Sequence, residues 1–294
     1  MYITIGIPFY NAEYFLLDAI KSVFAQTHEK WELILLDDGS DDRSLEIAQS
    51  INDPRVRVYS DGKNKKLASR LNEIVKLAKY DIIARMDADD LMSPYRIEKQ
   101  IQILEKNSDI DLISTGIYSI NDSFNPISVR YHSDNVINLS DLLFRKGGAG
   151  IVHASIVAKK EFFVRNPYNE NYPIAQDFGL WIKCLRKNDL NIFIIKDPLY
   201  FYKEEGSLNI KKILLAYKFE RLFFKKYLKK YKFRLILRSY SKSLLYMIVN
   251  SFGFFGTLIR MRNYVPLSLE LKEKFYSELA IIKSINIEDI SHIK

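Results

Sequence analysis

Ile82-Ile-Ala-Arg-Met-Asp-Ala-Asp-Asp-Leu-Met-Ser-Pro94 is an apolar run that breaks into three carboxylates and restarts as a helix. Ile82, Ile83, Ala84 and Met86 read as a buried strand, so Asp87, Asp89 and Asp90 fall where that strand leaves the sheet. Like charges so close raise one another's pKa, and the cluster is costly unless a cation or hydrogen-bond donors compensate it. Asp87 and Asp89 are two apart; they share a face on a continuing strand and can converge on one ion in a tight loop. Hard carboxylate oxygens suit Mg2+ or Mn2+, which in turn bridge phosphate oxygens. The same residues also describe a solvated acidic turn before an N-capped helix, with Ser93 as cap and Pro94 at the first helical position.

The chain before this stretch repeats its logic. Tyr2 to Pro8 is a strand, and Asn11 then caps a helix in which Phe15, Leu16, Ala19, Ile20, Val23 and Phe24 recur at helical spacing. Trp31 to Leu36 is a second apolar run ending in Asp37-Asp38-Gly39-Ser40. Val56 to Tyr59 is a third strand and Leu67 to Lys79 a helix. Alternating strands and helices predict an α/β fold with a mostly parallel sheet covered on both faces. Ligands of such sheets bind off the carboxyl ends of the strands, where Asp38 and the 87–90 cluster both fall. No G-x-G-x-x-G or G-x-x-x-x-G-K-[ST] occurs, so a phosphate would have to be held by a metal.

Beyond a helix from Tyr95 to Asn107 comes a strand at Asp111 to Gly116, then an irregular stretch in which Gly147, Gly148 and Gly150 predict a mobile loop. His153 to Ala158 reads as a strand, with His153 a satisfied core or edge histidine. Tyr172-Pro-Ile-Ala-Gln-Asp177 opens a helix striped by Leu180, Trp181, Cys184 and Leu185. Asp177 suits a first turn, where the helix dipole favours a carboxylate, as well as it suits a catalytic role.

The 294 residues are 48% hydrophobic and 13% aromatic, enough to bury a sizeable core. Cys184 is the sole cysteine, which excludes a disulfide framework and a multi-cysteine metal site. With no signal-peptide pattern at the start, the expected location is cytoplasmic. The net charge of +8 is uneven: residues 203–294 hold 19 Lys and Arg against 8 Asp and Glu, and residues 1–202 hold 25 against 28. Such asymmetry signals an anionic partner surface for the tail.

Five segments in order, Ile7-Pro-Phe-Tyr-Asn11, Ser22-Val-Phe-Ala-Gln-Thr27, Leu36-Asp-Asp-Gly-Ser40, Arg85-Met-Asp-Ala-Asp-Asp90 and Gln176-Asp-Phe-Gly-Leu-Trp181, resemble glycosyltransferase family 2 enzymes of GT-A fold. Among these, bacterial transferases that build O-antigen, capsule or related surface glycans are the nearest in pattern. The resemblance covers roughly residues 1 to 202 and implies a GT-A catalytic domain there. Residues 1–116 would bind the nucleotide-sugar, and residues 117–202 would form the acceptor side. It implies that Asp38 accepts from the uracil of a UDP-sugar and that Pro8 and Tyr10 line the nucleoside pocket. Asp87 would hold the ribose or reach the metal through water, Asp89 would bind Mn2+ or Mg2+ on the diphosphate, and Ala88 between them would line the nucleotide. Asp177 would be the general base for an acceptor hydroxyl, in a single displacement with inversion. Lys65, Lys66 and Arg70 are either diphosphate or uracil contacts or a solvated basic helix face.

Two departures from the family pattern stand out. Gln176-Asp177 replaces Glu-Asp, which keeps the base but removes a neighbouring charge, and Lys79-Tyr80-Asp81 replaces a small glycine before the acidic strand. A sugar-phosphate nucleotidyltransferase is the competing enzyme class, though no Gly-rich basic loop follows the first strand. A nucleic-acid-binding protein acting through its basic tail is the non-enzymatic alternative; the transferase reading expects no nucleic acid.

From Lys203 onward the sequence predicts a helical region. Ile210, Ile213, Leu214, Tyr217, Phe224, Leu228 and Tyr231 share one side of a helix, and Lys211, Lys212, Lys218, Lys225, Lys226, Lys229 and Lys230 the other. Such a basic amphipathic helix either lies peripherally on the inner leaflet, near a lipid-linked acceptor, or packs on the catalytic domain or a second subunit. Leu244 to Ile259 is interrupted by Asn250, Ser251, Gly253 and Gly256 and reads as buried or interfacial, not transmembrane.

Overall fold

The computed structural model describes residues 1–130, 151–204, 209–261 and 265–287, with backbone alone at 259–261. Strands β1 (Ile3–Phe9) and β2 (Trp31–Asp37) are buried along their whole length, as their unbroken apolar runs require of strands covered on both faces. With β3 (Val56–Tyr59) and β4 (Ile82–Arg85) they pair in parallel in the order β3-β2-β1-β4. Beyond β4 the sheet turns mixed. β8 (Val157–Lys159) runs antiparallel to β4 and to β6 (Leu112–Ile120), β9 (Ile192–Lys203) pairs in parallel with β6, and β5 (Leu91–Met92) closes the edge against β9. β7 (Pro126–Arg130) lies on the other side of β6 as a hairpin.

Alternation along β2 sorts its side chains into two layers. Leu33 and Leu35 join the core under α1 (Leu16–Phe24), α2 (Ser44–Gln49) and α4 (Arg96–Lys106). Ile34 and Leu36 face α3 (Lys66–Leu77), α5 (Lys160–Arg165) and α6 (Gln176–Lys187). Where the family pattern has a glycine, α3 ends at Leu77 because buried Glu32 accepts from the Lys79 amide at 2.6 Å and Thr4 Oγ1 from the Tyr80 amide at 3.3 Å. A buried side-chain cap thus replaces the glycine turn.

Several local expectations are corrected. Asn11 does not cap α1, which starts at Leu16; it adopts φ 50° and exchanges hydrogen bonds with Asp41 across the loop after β2. The helix after the acidic cluster starts at Arg96 with Tyr95 as its N-cap, so Ser93 and Pro94 precede it. Residues 153–155 form a single 3₁₀ turn and β8 starts at Val157, because the Ser155 hydroxyl bonds back to the Val152 carbonyl at 3.0 Å and to the Thr115 amide. The glycines at 147, 148 and 150 lie outside the described residues.

The basic tail is several helices. α7 (Ile210–Tyr227) is capped by Asn209, which accepts from the Lys212 amide at 2.9 Å, and ends before Tyr231, whose φ of 58° turns the chain into α8 (Lys232–Ser251). The apolar side of α7 faces the α/β core: Phe223 stacks edge-on against Tyr172 at 4.8 Å, and Phe224 meets Phe178 at 5.8 Å. A Cβ at Gly179 of α6 would lie 3.0 Å from the Phe223 ring, so a larger residue there would have to push the ring back by a few tenths of an ångström. Of the two places foreseen for that stripe, the structure puts it against protein. α9 (Phe255–Met261) and α10 (Leu269–Ser284) follow, and α10 seats Phe275, Leu279 and Ile282 against Tyr118 and Phe201. Leu244 and Phe252 are exposed while Tyr246 is buried, so that segment is buried on one face only. No helix among the described residues is long and apolar enough to cross a membrane.

Candidate active site

The loops at the carboxyl ends of β1, β2 and β4 meet at one edge of the sheet. Asp37, the last residue of β2, is buried and ties the following turn together, accepting from the Ser40 amide at 2.9 Å and from the Ser60 hydroxyl at 2.7 Å. Gly39, with φ +76°, gives the turn its left-handed step, and a Cβ there would meet the backbone of Lys63 at 2.9 Å. Asp38 accepts from the amides of Lys65 at 2.7 Å and Lys66 at 3.1 Å and from Arg70 Nε at 2.9 Å. It therefore organises the start of α3 as well as standing at the expected nucleoside edge. Pro8 is buried in β1 beside it, and Tyr10 is exposed on the loop that follows.

Arg70 departs from both foreseen roles. Its side chain is 1% exposed and bonds Asp38, Asp61, Glu73 and the Lys63 carbonyl, so it is neither on a solvated face nor open to a diphosphate. Lys65 bonds Asp61 at 2.5 Å, and Lys66 is exposed. Arg70→Met leaves Asp38 buried against no cation, and the expected loss is about 3–5 kcal/mol of stability. Urea unfolding of the variant checks it, through a lower midpoint with an unchanged slope.

The carboxylates after β4 are supported from beneath by groups the sequence did not single out. Arg85 is buried and bonds one oxygen of Asp87. The Asp87 amide donates to the Tyr200 hydroxyl at 3.1 Å. Arg96, also buried, donates to the carbonyls of Arg85 at 2.9 Å and Ile156 at 3.2 Å and so fixes where β4 ends. A cation inside an apolar strand is a signal in the sequence, since arginine is almost never fully buried unpaired.

Asp89 and Asp87 remain partly open, with Ala88 buried between them. Burial pushes the Asp89 carboxyl above the usual range, and the charge of Asp87 adds to the shift, which Lys203 partly offsets. Asp90 is buried, with its pKa pushed well up by burial and then by Asp87 and Asp89. One Asp90 oxygen accepts from the Lys203 amide at 2.7 Å, and the other has no hydrogen-bond partner. Asp87 and Asp89, the two partly open carboxylates, are hard oxygen donors of the kind that Mg2+ or Mn2+ takes one or two at a time, with substrate phosphates completing the shell. No three His, Cys, Asp or Glu side chains converge among the described residues.

Asp177 stands in the first turn of α6, after Ala175 in a left-handed conformation. Its surface is partly accessible, yet it is surrounded deeply enough that burial raises its pKa. The Phe178 amide and Arg85 pull that pKa back, and Asp87 pushes it up. With Gln176 beside it, burial and not an adjacent acid is the main cause. Arg85 thus lies in the field of both Asp87 and Asp177. His153 pairs with the Tyr168 hydroxyl at 2.7 Å, and burial together with Arg85 keeps its pKa well down; it is a satisfied, neutral histidine. A cavity of about 450 Å3 at the other end of the strands, between Trp31, Arg55, Arg57 and Lys79, touches none of these carboxylates.

The chain is similar in sequence and fold to known glycosyltransferases. The bifunctional glycosyltransferase pgtA of Dictyostelium discoideum is 30% identical over 240 residues, 67% of this chain and 31% of that protein. The UDP-Glc:alpha-D-GlcNAc-diphosphoundecaprenol beta-1,3-glucosyltransferase WfgD of Escherichia coli is 28% identical over 189 residues, 64% of this chain and 72% of that one. The chain spans 31%, 40% and 35% of the length of the first three curated relatives it matches. Among solved structures, TarS 1–349 of S. aureus in complex with UDP-GlcNAc superposes with a TM-score of 0.64 at 13% identity, covering 99% of this chain and 84% of that one; at this identity the likeness is one of fold. The Glycosyl transferase family 2 description matches residues 4–231, and the chain belongs to that family.

Proposed function

We propose that the protein transfers a sugar from a UDP-sugar to a hydroxyl of a glycan acceptor, with inversion at the anomeric carbon. The observation that carries this reading is a partly open, pKa-raised Asp177 that shares the electrostatic field of buried Arg85 with Asp87, in a family 2 fold whose acidic cluster stands at the carboxyl edge of the sheet. A donor lying between them would present its diphosphate to Asp87 and Asp89 and its anomeric carbon toward Asp177. The uracil would sit at the Pro8, Tyr10 and Asp38 edge. Asp87 and Asp89 would hold Mn2+ or Mg2+, which when bound supplies positive charge to the departing diphosphate.

Asp177 takes the proton from the acceptor hydroxyl as the new bond forms, and no second carboxylate is needed because no covalent intermediate intervenes. UDP-GlcNAc in a neighbour of the same fold and the UDP-glucose donor in the name of WfgD support a uridine nucleotide. The diphosphoundecaprenol acceptor in the same name supports a lipid-carried glycan in surface polysaccharide synthesis, which would put the work at the cytoplasmic face of the inner membrane.

Incubation with a panel of UDP-sugars and short glycan or lipid-linked acceptors tests this. Acceptor-dependent UDP release with an inverted anomer by NMR supports it, whereas a retained anomer overturns the role of Asp177. The pH profile is a second check. A base must be ionised to act, and burial lifts the pKa of Asp177 above 3.8, so transfer falls as pH drops through that raised value. The acid limb of kcat therefore lies above the ordinary aspartate value; a limb at or below 3.8 would contradict the assignment.

A further inference from the structure

α8 is built inside out. Its inward face carries Leu235, Ser239, Ser243 and Tyr246, all buried against α7. Ser239 donates to Glu220 at 2.8 Å, and Arg221 reaches the Ser243 hydroxyl at 2.9 Å, so small polar residues let the two helices approach and are satisfied there. The outward face carries Phe233, Leu237, Tyr240, Leu244, Met247 and Ile248, spaced by four, three, four, three and one residues. Phe233 is 79% exposed, Leu237 57% and Leu244 55%. A water-facing helix places its large apolar residues the other way round. Phe252 at 71% and Phe254 at 63% extend the patch past the end of the helix.

The charges beside this stripe indicate what covers it. α8 holds Lys232, Arg234, Arg238 and Lys242 and no Asp or Glu. At 100° per residue Arg234 borders the apolar stripe and Arg238 lies farther round on the same flank, both exposed, and Lys229 and Lys230 are exposed in the turn before the helix. A second copy of this helix would set like charges against each other, with no acid on either to relieve them. An anionic lipid surface takes both features together: acyl chains receive the stripe, and headgroup phosphates receive the arginines.

We propose that the outward face of α8, continued by Phe252 and Phe254, docks the protein on a membrane containing anionic lipids. α8 packs on α7, and α7 packs on α6, whose first turn carries Asp177. Docking by α8 therefore fixes the acceptor side of the site relative to the bilayer. This replaces α7 as the expected membrane helix and holds independently of which nucleotide-sugar is used.

Flotation of the full chain with vesicles tests it, comparing phosphatidylcholine alone with phosphatidylcholine containing phosphatidylglycerol. The protein floats with the anionic vesicles and not with the neutral ones. Arg234→Gln with Arg238→Gln lowers the partition coefficient about thirtyfold, and Leu237→Gln with Leu244→Gln lowers it by at least about tenfold. Both pairs are exposed, and an unchanged thermal transition with UDP shows that fold and nucleotide site survive in each. Absence of binding to anionic vesicles overturns the proposal, as does binding that neither pair weakens. If the leucine pair instead converts a dimer to a monomer in sedimentation velocity and vesicles are never bound, the face is a self-association surface and the proposal fails. A chain that floats but binds no nucleotide leaves this proposal standing and removes the UDP-sugar reading instead.

Discussion

Asp177→Asn slows sugar transfer by about 10²–10⁴ while UDP still binds. The amide has nearly the shape of the carboxylate and can still accept from the Phe178 amide, so the first turn of α6 keeps its conformation. What is lost is the ability to take a proton. Because that proton moves only as the acceptor attacks, the effect falls on kcat and leaves donor binding intact. Replacing an ionised, desolvated acid by a neutral amide also removes the burial penalty on the charge, so the variant is at least as stable as the parent near neutral pH. Transfer assays and thermal melts on one preparation read both consequences. Activity within a factor of about two of the parent would remove Asp177 from the chemistry.

Asp89→Asn has the second large effect, on the donor side. Asp89 is held above its ordinary pKa by burial and by Asp87, and a bound divalent cation would reverse that shift. Removing its charge leaves Asp87, already paired with Arg85, as the only other partly open carboxylate of the cluster. Transfer is expected to fall by at least about 10², with the Mn2+-dependent part of UDP binding lost and the fold retained. Isothermal titration of UDP with and without Mn2+ checks it; equal Mn2+ dependence in variant and parent would exclude Asp89 as a ligand.

The parts of this architecture visible in the sequence are those set by local pattern. Acids at the ends of apolar strands place Asp38 and Asp87 to Asp90 at one edge, and that follows from periodicity and from where parallel sheets bind ligands. The partners of those acids are invisible locally. Tyr200 meets Asp87 from 113 residues away, and Lys203 meets Asp90 across the same separation. Arg70 reads as surface because basic residues on a helix usually are; its burial depends on Asp38 and Asp61, which come from two separate loops. The tail shows the same limit. A helical wheel identifies the apolar stripe of α7 but not what covers it, and only the packing on Gly179 and Tyr172 reveals that α7 is spent inward and α8 faces out.

The edge formed by Asp38 and the Asp87 to Asp90 cluster is proposed to bind a uridine diphosphate through a divalent ion. A thermal-shift titration with UDP, GDP, CDP and ATP, each with and without Mn2+, on the parent and on Asp89→Asn, tests it most directly. The expected result is a saturable rise in the transition with UDP that needs Mn2+, exceeds the rise with the other nucleotides and is absent in the variant. No shift with any nucleotide under either condition, or a shift with UDP that Asp89→Asn leaves intact, would contradict it.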